Sequence, residues 1–347
     1  MPEMPGGGTD GRDVHFASPT PALSVIIACY NAEDTLAVQL DALARQIDPV
    51  PFEVIVSDNG STDQSRVIAQ RYADQLSLRV IDSSGVQGPA HARNVGVAHA
   101  RAQWIGFCDA DDEVADDWVR ELAHSLEDQV FIAGRVSVAK LNRGAVSRSR
   151  TMEQQDSLQP SSVGLEYLHA GAGNMGLHRE AFLRVGGFDE TLMACEDTDF
   201  CIKMQLTGYR LHYEPRVLIE TRLRSQTKHI LRQGYQYGLG QARLEQRYGR
   251  RTTGPDEPSE PTADPTSPLK RVRAQLRTIR RLPWSGKAWQ LGWSVGHRVG
   301  RRRYAHRPGE PVVPAVGRPR ATVLLDWPEP GTAITPRPAD AGNSSAP

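Results

Sequence analysis

Cysteine is scarce in this 347-residue sequence, and its four cysteines are Cys29, Cys108, Cys195 and Cys201. They show neither the paired close spacing nor the nearby histidine pattern of a zinc site. Cys29 and Cys108 fall at the ends of predicted strands, where a small residue packs well. We therefore predict reduced thiols in the core or lining a site, and the cytoplasm is the compartment that fits best.

Long apolar runs and phosphate-binding loops are also missing. No uninterrupted apolar run approaches the roughly 20 residues that span a bilayer. Residues 1–21 are rich in Gly and Pro and have no apolar core, so no signal peptide is expected. Neither Gly-x-Gly-x-x-Gly nor Gly-Lys-Ser/Thr follows the first predicted strand, which disfavours common dinucleotide-binding folds and P-loop hydrolysis.

Charge is balanced in total but not along the chain. The formal net charge is zero, yet residues 269–307 contain twelve Lys and Arg and no acid. The body that precedes them is therefore acidic. This asymmetry predicts an anionic surface as the partner of the basic segment.

Strand and helix patterns alternate through the first half of the sequence. Buried strands are predicted at residues 23–29, 52–57, 78–81, 104–108 and 130–138. Helical spacing follows the first three of these strands. The alternation predicts an α/β fold with a mostly parallel sheet, with the site where the loops gather at the strand ends.

The stretch Trp104–Asp112 is the most informative, because an apolar run ends abruptly in three acids. Asp109 and Asp111 lie two residues apart, so in extended backbone their side chains can reach one point. Such carboxylates repel each other unless a cation lies between them, and Mg²⁺ or Mn²⁺ fits oxygen ligands of this kind. The alternative is a solvated acidic turn that caps the next helix.

A second acidic group opens a later predicted helix and contains Glu196, Asp197 and Asp199. For Asp199, N-terminal capping of the helix is a strong interpretation, because carboxylates favour that end of the helix dipole. Glu196 and Asp197 are better explained by a division of labour, in which one carboxylate acts as base while other acids hold metal.

Together these motifs resemble the inverting family 2 glycosyltransferases of the GT-A fold, over about residues 22–248. The motifs are Ser24-Val25-Ile26-Ile27 with Tyr30-Asn31, Val56 to Asp63, Ala92-Arg93-Asn94, Asp109 to Asp112, Gly186 to Glu190, and Glu196-Asp197. The resemblance implies a hexosyltransferase-type enzyme that moves a sugar from a nucleotide donor to an acceptor hydroxyl, with inversion at the anomeric carbon.

The resemblance also implies roles for individual residues. It places Asp58 against the nucleotide base with Ala28, Tyr30 and Asn31, Arg93 near the diphosphate, Asp109 near ribose and metal, Asp111 on the metal, and Asp197 as base with Glu196 tuning its pKa. An acid that reads the base fits uracil, so a UDP-sugar is favoured over GDP or dTDP donors. One departure is Thr221, where many members carry a histidine that holds metal or phosphate.

Three residues are candidates for contact with the acceptor. Gly173 and Asn174 could approach it through exposed backbone and amide groups, although a simple turn explains them as well. Trp118 could stack on a sugar ring, with a core anchor as the alternative.

The expected organisation has five parts. These are a disordered N-terminus (1–20), the GT-A domain (21–250), a Pro-rich linker (251–268), a basic amphipathic helical segment (269–307) and a mostly disordered tail (308–347). Within the basic segment, Trp284, Trp289 and Trp293 suggest interfacial aromatics, while Gly292, Gly296 and Gly300 would share one helix face.

These features predict a cytoplasmic enzyme that binds the inner face of the cell membrane peripherally through residues 269–307. A glycan or lipid-linked acceptor in cell-envelope polysaccharide or glycolipid synthesis would lie nearby. A solvated helix or a strap packed on the catalytic domain explains the same segment nearly as well, and nucleic acid is not expected as a partner. A sugar-nucleotide nucleotidyltransferase and a catalytically silent nucleotide-sugar-binding or membrane-recruiting protein are the alternative functions.

Overall fold

The computed structural model describes residues 20–142, 153–163, 167–249 and 282–305. The expectations for the N-terminus, the Pro-rich linker, residues 269–281 and the C-terminal tail lie outside these described residues. The polar, irregular sequence of residues 140–162 predicts a mobile loop beside the site, and residues 143–152 in its middle also lie outside the described residues.

The centre of the structure is an eight-stranded mixed sheet in the order β3-β2-β1-β4-β9-β6-β10-β5. Its strands are β1 (Leu23–Cys29), β2 (Phe52–Asp58), β3 (Leu78–Asp82), β4 (Trp104–Asp109), β5 (Glu113–Val114), β6 (Phe131–Ser137), β9 (Asn174–His178) and β10 (His212–Glu220). A separate two-stranded sheet contains β7 (Gln159–Pro160) and β8 (Leu168–His169). The first four strands of the order pair in parallel, and β9 is antiparallel to both of its neighbours.

Helices cover both faces of the large sheet. They are α1 (Leu36–Ala44), α2 (Ser65–Gln70), α3 (Pro89–Ala98), α4 (Trp118–Asp128), α5 (Arg179–Arg184), α6 (Glu196–Leu206), α7 (Thr227–Tyr248) and α8 (Trp284–Tyr304). One apolar core packs around Trp118 and the leucines of α1, and a second around Phe107, Phe182 and Phe200. A third, smaller core packs around Ile202 and Leu244. The predicted class, a mostly parallel sheet flanked by helices with a helical C-terminal extension, is confirmed.

Strand β9 was not predicted, and its composition explains why. It contains Asn174 and Gly176, and neither residue type favours a strand. A Cβ atom added to Gly176 would overlap the side chain of Leu122 on α4, so only glycine allows this close packing. The strand therefore depends on tertiary contacts that no local pattern reveals.

Helix α8 begins at Trp284 directly after Pro283, as the sequence indicates, and runs alongside α7 in the same direction. Gly292, Gly296 and Gly300 are buried against α7, so their predicted common face is confirmed. A Cβ atom at Gly296 would overlap the carbonyl oxygen of Tyr235. For residues 284–304, the strap packed on the catalytic domain is therefore the correct interpretation of this face.

The three tryptophans predicted to be interfacial differ in their exposure, and their contact with a membrane stays a prediction. Trp289 is half-buried against Tyr237 of α7, and Trp293 is half-buried and stacked on His297 at 4.8 Å between ring centroids. Only Trp284 is exposed, with 49% of its surface accessible. Within the described ranges, no helix is both long and apolar enough to cross a bilayer.

Candidate active site

The carboxyl ends of β1, β2 and β4 lie side by side and bring the sequence motifs to one edge of the sheet. Ala28 of β1 pairs with Asp109 of β4, and Cys29 pairs with Asp58 of β2. All four cysteines are free and buried, as predicted. Strand β4 is buried between its two end residues, Trp104 and Asp109, and its acidic side chain lies at its carboxyl end.

Asp109, Asp111 and Asp112 form the cluster predicted from the first acidic motif. One carboxylate oxygen from each lies within 4.8 Å of the others. Asp112 is only 3% exposed and accepts hydrogen bonds from the Thr221 hydroxyl at 3.0 Å and the Arg222 amide at 2.9 Å. A solvated acidic turn is therefore the wrong interpretation of this stretch.

The same contacts give Thr221 a role that its chemistry allows. A hydroxyl is a poor substitute for an imidazole ligand, but here it holds the carboxylate of Asp112 in place. With both oxygens of Asp112 hydrogen-bonded, Asp109 and Asp111 are the residues best able to hold a cation. Their hard oxygen donors fit Mg²⁺ or Mn²⁺.

Electrostatics also indicate a site that would accept positive charge. Burial raises the pKa of Asp111 and that of Asp112, and the nearby carboxylate of Asp109 raises both further. Repulsion among the three acids costs free energy, and a divalent cation would relieve it. The donor set, its spacing and its electrostatics therefore agree on a cation site.

Arg93 of α3 joins the two acidic groups that the sequence predicted separately. The guanidinium is 5% exposed and donates to Asp109 Oδ1 at 2.8 Å and to Glu196 Oε1 at 2.9 Å. It also lies 5.6 Å from the ring centroid of Phe188. Because both carboxylates hold it, Arg93 is a rigid link between the end of β4 and the start of α6.

At the start of α6, the second acidic group places a buried carboxylate, Glu196, next to a partly exposed one, Asp197. Glu196 is buried beside Arg93, and burial, followed by the charge of Asp197, raises the pKa of Glu196 to about 7. Asp197 is partly exposed, and its Oδ1 accepts a hydrogen bond from the Thr198 amide at 2.7 Å. The backbone just before them is left-handed at Cys195, with a φ of 63°, a conformation that non-glycine residues adopt rarely.

The predicted capping by Asp199 is wrong, because α6 has no side-chain capping hydrogen bond and the Asp199 carboxylate binds α7 instead. It is fully buried, and its Oδ1 accepts hydrogen bonds from Tyr248 at 2.8 Å and from Arg247, both on α7. Arg247 also pairs with Asp189 at 2.6 Å. These contacts fasten α7 to the helix that presents Asp197.

A cavity of about 230 Å³ connects the two acidic groups. Its lining includes Arg93, Asp109, Asp111, Asp112, Gln154, Gly171, Gly173, Asn174, Glu196, Asp197, Thr221, Arg222 and Arg224. Drug-sized ligands usually occupy pockets of roughly 300–1,000 Å³. A whole sugar nucleotide therefore needs more room than this cavity offers, and its nucleobase would extend beyond the cavity.

The residues expected to contact the nucleobase lie outside the cavity, at or just after the ends of β1 and β2. Tyr30 is 54% exposed, and Asn31 has a φ of 49° and accepts a hydrogen bond from the Thr62 amide at 2.8 Å. Asp58 is buried, and its Oδ1 accepts from the Ser61 amide at 3.1 Å. The carboxylate of Asp58 thus orders the loop that follows β2.

Two of the three residues expected to contact the acceptor belong to the core instead. Trp118 is fully buried, and its indole N–H donates to Asn174 Oδ1 at 2.8 Å, so its predicted stacking on a sugar is wrong. The Asn174 amide donates to the Arg135 and Val217 carbonyls, so this side chain is committed to the sheet even though the residue borders the cavity. A Cβ atom at Gly173 would lie 2.6 Å from Asp109 Oδ2, so glycine here makes room for the acid.

Several cavity residues escaped the sequence reasoning. Gln154 spans the floor, donating to the Gly134 carbonyl and accepting from the Gly171 amide. Ser285 and Trp289 of α8 also line the cavity, far from Asp109 in sequence. Trp289 is one of three tryptophans in the basic segment, so the sequence does mark this region. The spacing of the tryptophans alone does not indicate which helix Ser285 and Trp289 face.

Comparison with known proteins supports the resemblance. Residues 24–186 match the family model described as Glycosyl transferase family 2. A poly(ribitol-phosphate) beta-N-acetylglucosaminyltransferase, TarS, of Staphylococcus aureus is 28% identical over 192 residues, which are 54% of this chain and 33% of that protein. The succinoglycan biosynthesis protein ExoA of Rhizobium meliloti is 25% identical over 226 residues, or 63% of this chain and 68% of ExoA.

Among solved structures, S. aureus TarS 1-349 in complex with UDP-GlcNAc has a TM-score of 0.49 at 18% identity. The match covers 82% of this chain and 91% of the TarS 1-349 chain. The chain spans only a third of the length of full TarS. The family match ends at residue 186, before Asp197, α7 and α8. Residues 24–186 of the chain are therefore similar to family 2 glycosyltransferases.

Proposed function

We propose that the protein transfers a sugar from a nucleotide-sugar donor to an acceptor hydroxyl and inverts the anomeric configuration. The observation that carries this proposal is one cavity whose lining contains both Asp197 and the acids able to hold a cation. Arg93 joins the two groups, because it donates to Asp109 and to Glu196, the neighbour of Asp197. Inversion in one step needs the leaving group and the base on opposite faces of the transferred sugar. The cavity offers a group for each role.

In this proposal Asp109 and Asp111 hold Mg²⁺ or Mn²⁺. When bound, the ion supplies positive charge that stabilises the departing nucleoside diphosphate. Arg222 and Arg224 also line the cavity and add positive charge beside the same acids. Arg93 keeps the carboxylate of Asp109 oriented through its 2.8 Å hydrogen bond.

Asp197 acts as the base. The acceptor oxygen attacks the anomeric carbon, the bond from that carbon to the diphosphate oxygen breaks, and the electron pair leaves with the diphosphate. The hydroxyl proton passes to the Asp197 carboxylate, whose Oδ1 is fixed by the Thr198 amide. Glu196 positions the site through Arg93 and does not itself contact the reacting atoms.

A UDP-sugar is the donor that we propose, because the carboxylate of Asp58, at the end of β2 and next to the end of β1, can accept a hydrogen bond from the imide N–H of uracil. The test is nucleoside diphosphate release from UDP-glucose, UDP-N-acetylglucosamine, GDP-mannose and dTDP-glucose with Mn²⁺. We expect the UDP donors to be hydrolysed fastest. A preference for GDP-mannose would overturn the donor assignment, and release from none would indicate a silent binding protein.

The acceptor that we propose belongs to envelope polysaccharide or glycolipid synthesis. The names of two relatives, a poly(ribitol-phosphate) glycosyltransferase and a succinoglycan biosynthesis protein, support a polymer or its lipid-linked precursor. Such acceptors gather at the membrane, which makes a membrane-binding surface useful.

The outer face of α8 supports peripheral binding to an anionic bilayer on the cytoplasmic side. It exposes an apolar stripe that contains Trp284, Leu291, Val295 and Val299. Five basic residues on exposed positions accompany the stripe, namely Lys287, Arg298, Arg301, Arg302 and Arg303. Each base near an anionic leaflet contributes on the order of 1 kcal/mol, and the exposed apolar residues would enter the interface.

Cosedimentation with phosphatidylglycerol vesicles tests this surface. The full chain should bind them, less so at high salt, and poorly to phosphatidylcholine vesicles. Replacing Arg298, Arg301 and Arg302 together by Gln should weaken binding several-fold because the electrostatic attraction is reduced. Unchanged binding by this variant would contradict a role for the outer face.

A further inference from the structure

The wall of the cavity beside Asp197 is built by helices that lie beyond the family-matched residues 24–186. Its members on α7 and α8 are Ile230, Gln233, Tyr237, Ser285 and Trp289. The cation-holding acids and the base come from the sheet and α6, so this wall contributes groups of a different kind. It offers aromatic rings and neutral polar groups in place of charge.

The aromatic rings of Tyr237 and Trp289 are steeply inclined to each other, and we call this pair the aromatic corner. Tyr237 and Trp289 meet with their centroids 6.3 Å apart and their planes at 61°, and both are half-buried. Aromatic rings with an accessible face bind the apolar faces of sugar rings, while neighbouring polar groups take the hydroxyls. Ser285 is 4% exposed, and its hydroxyl has no hydrogen-bond partner among the described residues. It borders the cavity and is available to a ligand.

The corner is fixed in place by the seam between the two helices. A Cβ atom at Gly234 would overlap the carbonyl oxygen of Trp289, so the two backbones touch at the residue that carries the indole. His297 pairs with Glu245 at 3.1 Å further along the seam. Because contacts recur along α8, its register against α7 is set, and the position of the Trp289 side chain follows from it.

We propose that Trp289, with Tyr237 and Ser285, forms the acceptor subsite and binds a pyranose ring of the acceptor. This inference rests on the proposed function, since it places the acceptor hydroxyl beside Asp197. It assigns to α8 a second task besides membrane binding: the inner face completes the catalytic cavity, and the outer face is free for the bilayer. The preferred acceptor is then a sugar, not a protein side chain or a bare polyol.

Saturation-transfer NMR and kinetics test this on the full chain, with UDP and Mn²⁺ present. The probes are p-nitrophenyl glycosides of glucose, galactose, mannose and N-acetylglucosamine. We expect saturation transfer to at least one glycoside with the wild-type protein and its loss in Trp289→Ala. The acceptor KM in Trp289→Ala should rise about tenfold more than the donor KM, as loss of a stacking surface predicts. Trp289→Phe should recover most of the effect.

Gln290→Ala is the matched control, because Gln290 is the next residue of the same helix and lies outside the cavity lining. It should leave both KM values unchanged. Equal effects of the two variants, a parallel rise of both KM values in Trp289→Ala, or no saturation transfer to any glycoside would each overturn the subsite. Failure to hydrolyse any sugar nucleotide would instead contradict the proposed function, so the two failures are distinguishable.

Discussion

Arg93 shows how much of the site depends on single side chains. It was expected near the diphosphate, yet both of its terminal nitrogens are occupied by Asp109 and Glu196. Without it, two acidic groups would face each other in a buried space. Contact of Arg93 with the diphosphate stays a prediction, and only the fold reveals that its guanidinium connects Asp109 to Glu196, the neighbour of Asp197.

Replacing Arg93 by Met should therefore destabilise the protein and abolish transfer. Breaking a buried ion pair by removing one partner costs about 3–5 kcal/mol, because the remaining charges are left without compensation. The free energy of unfolding from urea denaturation measures the loss. The double variant with Glu196→Leu should recover part of it, and a double variant no more stable than Arg93→Met would contradict the pairing as its cause.

The acidic cluster gives a second prediction at this scale, on pH and metal. Burial and neighbouring acids raise the pKa of Asp111 and Asp112, so the folded protein binds protons there that the unfolded chain does not. Without metal, that stabilisation is complete below the ordinary Asp range and is lost as pH rises through the raised pKa values. Mn²⁺ needs the ionised carboxylates, so its effect has the opposite trend.

We therefore expect added Mn²⁺ to raise the melting temperature more at pH 8 than at pH 5, as followed by thermal denaturation. Asp111→Ala should remove the metal-dependent shift and weaken UDP binding in the presence of Mn²⁺. Asp74→Ala, at an exposed acid, should retain both. A shift of equal size in the Asp111 variant would remove that residue from the metal site.

At the scale of helices and strands, sequence reasoning succeeded where local pattern and tertiary role coincide. Strand β1 is apolar except for Ser24 and buried except for Ala28, and its predicted bounds match the structure. Strand β9 and helix α7 were not predicted, because glycines that weaken their local propensity are required by tight packing against neighbours. The helix from Trp284 was recognised, but its contact face was left open between lipid and protein.

The seam between α7 and α8 is testable with one glycine. In Gly296→Leu the new side chain would meet the backbone of Tyr235, and overpacking of this kind costs about 1–3 kcal/mol. Hydrogen exchange should show faster exchange of α8 amides in this variant. Ser294→Leu, on the exposed side of the same helix, should change little. Equal protection of α8 in both variants would contradict the packing described.

At the scale of the whole molecule, the fold gathers two acidic groups from distant parts of the chain into one cavity and closes that cavity with a C-terminal helix. Short motifs let the sequence predict which acids gather here, while the roles of these acids stay predictions. The sequence could not predict Ser285 and Trp289 in the same cavity, because they lie far from the acids along the chain and only the packing of α8 on α7 brings them there.

The most direct test of this account is the effect of Asp197→Asn on catalysis and binding together. We predict that turnover, measured as UDP release from the preferred UDP-sugar, falls about 10²- to 10⁴-fold, as expected when a general base is removed. UDP affinity from calorimetry with Mn²⁺ should stay within about twofold of wild type. The acids proposed to hold the cation and the residues proposed to contact the uracil are intact in this variant. Asp74→Asn should match wild type in both measurements. An Asp197→Asn variant with wild-type turnover would contradict the assignment of the base and, with it, the proposed mechanism.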